Sequence, residues 1–99
     1  MDKELAMRAA EVLKAVAHPL RLLIIEALQD GERSVGEIVE ALGEKQAITS
    51  QQLNLMKDRG VLASRREGAK VYYRIANPNV IRVLGCVYDH CESGKGVPR

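Results

Sequence analysis

Ninety-nine residues, 46% of them hydrophobic and 28% charged, suffice for one hydrophobic core and not for two. With three Tyr, no Phe and no Trp, that core must be filled by Leu, Ile, Val, Ala and Met, which favours packed helices. A net charge of +2, a charged N-terminal stretch, no aliphatic run longer than Leu22–Ile25 and only two cysteines argue against a secretory leader, a membrane span and a disulfide framework, so a cytoplasmic protein is expected.

Leu5, Ala9, Val12, Leu13 and Val16 recur at helical spacing and predict an amphipathic first helix over about residues 2–16. His18-Pro19 ends it and opens a second helix to about residue 29, apolar on more than one face and therefore central. Ser34 and Glu37 have capping-box spacing, and Val35, Ile38, Val39 and Leu42 give a short third helix closed by Gly43. A fourth helix follows over about 45–59, with Thr49, Leu53 and Met56 inward and Gly60 at its end. Residues 61–66 and 70–75 read as two strands about Glu67-Gly68-Ala69, and Asn77-Pro78 caps a last helix running to about residue 92. The predicted order is α-α-α-α-β-β-α: a mainly α winged helix-turn-helix domain over 1–92 and a flexible tail over 93–99.

Charge is sorted along this chain. Residues 45–74 carry Lys45, Lys57, Arg59, Arg65, Arg66, Lys70 and Arg74 against Asp58 and Glu67, whereas residues 26–44 carry Glu26, Asp30, Glu32, Glu37, Glu40 and Glu44 against Arg33 alone. A basic stripe confined to a helix-turn-helix and its hairpin is the footprint of a duplex binder. On the fourth helix Gln46, Ala47, Ser50, Gln51 and Asn54 form the outward stripe. Gln and Asn suit adenine, Ser either role, and the Ala47 methyl a thymine methyl. Lys45, Lys57 and Arg59 are expected to hold phosphates; Arg65, Arg66 and Lys70 are expected to reach the backbone or minor groove from the hairpin.

The runs HPLRLLIIEALQDGERSVGEI and QAITSQQLNLMKDRGVLASRREGAKVYYRI resemble the ArsR/SmtB family of bacterial winged-helix repressors over about residues 10–92. The resemblance implies a homodimer through the first and last helices, and an inverted-repeat DNA operator bound without effector and released with it. It also implies sensor sites that this chain lacks in part. Ser34 and Gly36 stand where metal sensors have two cysteines at the third helix, and neither is a soft-metal ligand. Asn77 and Asn79 replace the first ligand pair of the zinc sensors, and only His90 remains of the second. Of the cysteine pair in sulfur-sensing members, Cys91 falls within about a residue of one, and Glu26 replaces the other. Thr49 and Gln52 also depart from the usual aliphatic residue and histidine of the fourth helix.

Cys86 and Cys91 are five residues apart, about 140° around a helix, so a disulfide within one intact helix is strained. Cys86 and His90, at i and i+4, do share a face. Three readings stay open: a buried Cys86 with an exposed Cys91, thiol sensing of reactive sulfur or oxidant, and a metal or metalloid site from Cys86, His90 and Cys91. No cofactor and no catalytic residue is expected. A DNA-binding repressor is the leading reading, with a winged-helix protein-interaction module as the alternative.

Overall fold

The computed structural model describes residues 1–91; residue 92 and the proposed tail over 93–99 lie outside the described residues. Eight elements follow one another: α1 Lys3–Val16, α2 Pro19–Leu28, β1 Arg33–Ser34, α3 Val35–Leu42, α4 Gln46–Asp58, β2 Leu62–Glu67, β3 Lys70–Ile75 and α5 Asn79–His90.

Local chemistry sets these boundaries. Asp2 caps α1 by accepting from the Leu5 N–H at 2.7 Å. The Nδ1 of His18 accepts from the Leu20 N–H and caps α2, whose first residue is Pro19. The expected capping box is present: the Ser34 hydroxyl accepts from the Glu37 N–H at 3.2 Å, and the Glu37 carboxylate accepts from the Ser34 N–H at 2.9 Å. Gly43 ends α3 at φ +65°, a left-handed position that a Cβ would strain. The Arg33 guanidinium donates to the Ala27 carbonyl near the end of α2.

These two bonds make the box a measurable device. Glu37 is held below its ordinary 4.5, first by the Ser34 backbone N–H and then by the Ser34 hydroxyl. Its stabilisation is therefore present above 4.5 and lost as pH falls through the lowered folded value. Ser34→Ala is expected to cost about 1 kcal/mol in denaturant unfolding at neutral pH. Glu37→Gln is expected to remove that acid-range loss from the melting curves.

Hairpin β2–β3 turns on Gly68 and Ala69, with Gly68 at φ +62° as so tight a connection requires. Its register pairs Leu62 with Ile75 and Glu67 with Lys70. A short strand that periodicity does not foreshadow, β1, adds to the other edge of β3 through Arg33↔Tyr73 and Ser34↔Tyr72, giving the order β1-β3-β2.

α2 is central, as its apolar faces imply: Leu20, Ile24, Ile25 and Leu28 are buried with Ile38 of α3, Leu53 and Met56 of α4, Val61 and Leu62, Tyr73 of β3, and Val80 and Leu84 of α5. Thr49 is buried as well, and its hydroxyl is satisfied by donating to the Lys45 carbonyl at 2.9 Å. Gln52 turns inward and accepts from Arg21 Nε at 2.7 Å, which joins α4 to α2. The two unusual residues of α4 thus serve its seating. α1 is different. Ala15 and Val16 are buried, but Leu5 and Leu13 on its apolar side are 47% and 54% exposed, so part of that side has no cover among the described residues.

Candidate nucleic-acid interface

α3, the turn at Gly43 and α4 form the helix-turn-helix, and the hairpin stands beside α4. Between them runs a groove of about 900 Å³, lined on the α4 side by Gln46, Ser50, Asn54 and Lys57, and on the wing side by Ser64, Arg65, Arg66, Ala69, Lys70 and Val71. Gln46, Ser50 and Asn54 lie four residues apart and so make one stripe of the helix. Ala47 and Gln51 occupy an adjoining, exposed stripe, and Lys45 is exposed at the position before α4. Arg59 is exposed at the other end, 3.9 Å from Glu11 of α1.

Among the described residues no side chain caps the first-turn N–H groups of α4, and the Glu44 carboxylate accepts from the N–H of Lys45, the residue before the helix, at 3.3 Å. The opposite wall is acidic, with Glu37 and Glu40 of α3. This charge distribution would draw a polyanion to the α4 and wing rim and away from α3.

Two residues that the sequence reading missed shape this surface. Tyr73 is buried, and its hydroxyl donates to Asn54 Oδ1 at 3.0 Å; burial, then Asp58, raises the phenol's pKa and keeps it a donor. The bond fixes the Asn54 amide, leaving its two N–H and one oxygen lone pair for a base edge. Glu32 is the other. Arg65 donates through Nε and Nη2 to both Glu32 carboxylate oxygens, at 2.9 and 2.7 Å, and through Nη1 to Glu67. That fork holds Glu32 below the usual carboxylate range. Strand alternation, which is visible in the sequence, could have warned that Arg65 and Arg66 leave opposite faces of the wing.

At the far end of the molecule Cys86 and Cys91 are both free and exposed, so Cys86 is not a buried small hydrophobe within one chain. Among the described residues no cluster of three His, Cys, Asp or Glu side chains is placed to hold a metal, and Cys86, His90 and Cys91 do not form one. The Tyr88 hydroxyl donates to Glu26 at 2.6 Å and ties α5 to α2. No helix among the described residues is long and apolar enough to cross a membrane.

A family profile described as bacterial regulatory protein, arsR family, matches residues 18–64. The chain is 38% identical over 88 residues to the biofilm growth-associated repressor of Agrobacterium fabrum, covering 89% of this chain and 74% of that protein. Among solved structures, the transcriptional repressor BigR of Xylella fastidiosa superposes with a TM-score of 0.79 at 32% identity, covering 90% of this chain and 95% of that one. The homodimeric winged helix-turn-helix DNA-binding domain Mb0332 of Mycobacterium bovis gives 0.73 at 38% identity, covering 89% and 83%.

Proposed function

This chain belongs to the arsR family of bacterial regulatory proteins, and from that premise we propose that it is a dimeric repressor that sets α4 of each protomer in the major groove of an inverted-repeat operator, with the wing on the flanking backbone. It is a DNA-binding transcriptional regulator. The observation that carries the mode of binding is the convergence of Gln46, Ser50, Asn54 and Lys57 with Arg66 and Lys70 around one groove. Gln46, Ser50 and Gln51 would read base edges, Asn54 would do so in the orientation Tyr73 imposes, and Lys45, Lys57, Arg66 and Lys70 would hold phosphates.

The dimer reading is supported by the exposed apolar residues Leu5 and Leu13 on one side of α1, and by exposed Ile81 on α5. A two-fold partner would cover such a stripe and would place two recognition helices one helical turn apart on the duplex. The alternative of a protein-interaction module is not favoured, because a cationic face suits a polyanion better than an apolar partner. Selection of bound fragments from the host genome, followed by titration across salt, tests the reading. Affinity that falls steeply with salt and a palindromic site support it; salt-insensitive binding, or none, removes it.

For release, the exposed thiols of Cys86 and Cys91 support sensing of reactive sulfur or oxidant. The double variant Cys86→Ser, Cys91→Ser is expected to keep operator affinity and to lose release by polysulfide. A double variant still released by polysulfide removes the thiol-sensing reading.

A further inference from the structure

In the β2–β3 register Arg66 stands opposite Val71 on one face of the sheet, whereas Arg65, opposite Tyr72, and Lys70, opposite Glu67, share the other face, so what sets Arg65 apart from Lys70 is its partners and not its face. The Arg65 guanidinium lies 4.5 Å over the Tyr72 ring while it forks onto Glu32 and also donates to Glu67. An ordinary exposed ion pair contributes little, but a bidentate fork that is also stacked and shared with a second carboxylate is the geometry in which such pairs do count. Glu32 belongs to the connection between α2 and β1, and Arg65 lies 33 residues further on. The fork therefore fastens the wing to the body of the domain. It adds to the other ties of the hairpin to the body, the buried Leu62 and Tyr73, the Tyr73–Asn54 bond and the two residue pairs of β1 with β3.

The charges point the same way. Arg65 lines the same groove, but with two carboxylates on it Arg65 offers a phosphate no net positive charge, whereas among the described residues neither Arg66 nor Lys70 makes an ion pair. We propose that Glu32 is a positioning residue for DNA binding: through its fork with Arg65 it fixes the pose of the wing so that Arg66 and Lys70 reach the duplex, while Arg65 itself touches no phosphate. This rests on the reading of the wing as a DNA-binding element.

The test turns on a sign. Plain electrostatics says that removing a carboxylate near a polyanion strengthens binding. The clamp says that Glu32→Gln weakens it, by roughly three- to fivefold, the upper end for an exposed pair, and leaves the salt slope unchanged. Arg65→Ala should do the same, and the two changes together should be no worse than either. Lys70→Ala, by contrast, should flatten the slope by about 1.8, one phosphate contact being lost from each protomer. Hydrogen exchange of the β2 and β3 amides should quicken in the Glu32 variant while the helices keep their protection. Unchanged or tighter binding by Glu32→Gln, or a flattened slope in Arg65→Ala, overturns the proposal. If the unaltered protein binds no duplex, the DNA reading fails instead, and wing exchange unaffected by Glu32→Gln would then sink the clamp separately.

Discussion

Replacing Lys57, Arg66 and Lys70 together by alanine is expected to lower affinity for every duplex, operator or not, by more than about a hundredfold at low salt. All three side chains are exposed, so the fold should survive the change. They stand on the α4 and wing rim of one groove, where each is placed to displace a counterion from a phosphate. Losing three such contacts from each of two protomers should reduce the slope of log affinity against log salt by about 5.4. Base preference should barely change, because Gln46, Ser50 and Gln51 are untouched. Filter binding at several salt concentrations reads both quantities. A triple variant that keeps its slope would mean the backbone is held elsewhere.

Leu13→Glu in α1 is the second change of large effect. Within one chain Leu13 is 54% exposed, so a carboxylate there has water and the monomer should fold with unaltered circular dichroism. Across a two-fold interface the substitution acts twice. It removes about 1 kcal/mol of apolar burial per protomer, roughly half of what full burial of a leucine gives, and adds a buried charge. Sedimentation should report a monomer, and operator affinity should fall at least about a hundredfold, since each half-site is then held without help from the other. A Leu13→Glu protein that still sediments as a dimer would place the interface away from α1.

Much of this architecture is legible in the residues because it is local. The capping box at Ser34 and Glu37, the proline after His18, Gly43 and Gly68 each act within a few positions, and each lies where its spacing implies. The inward stripe of Thr49, Leu53 and Met56 follows from helical periodicity in the same way. What periodicity misses is set by register and by distance along the chain. β1 is two residues long, too short for alternation to register, and exists because β3 offers it an edge. The Glu32–Arg65 fork spans 33 residues, the Tyr73–Asn54 bond 19 and the Tyr88–Glu26 bond 62, and none has a signature before the elements are docked.

That difference matters for reading function. Composition marks Arg65 and Arg66 alike as cations of the wing, yet one is held by internal carboxylates and the other, among the described residues, is not. The Asn54 side chain, a free adenine reader on the helical wheel, is oriented by a buried tyrosine from another element. The cationic region is thus smaller and more ordered than a count of charges suggests.

A single titration bears most directly on the central claim that paired copies grip one duplex through α4 and the wing. Operator-containing fragments should be titrated with the full chain across a salt series, with stoichiometry and hydroxyl-radical footprint recorded together. Two chains per site, protections about one helical turn apart on one face of the duplex, and a slope near roughly −7 from Lys45, Lys57, Arg66 and Lys70 of two protomers are predicted. One chain per site, or affinity indifferent to salt, would contradict the account.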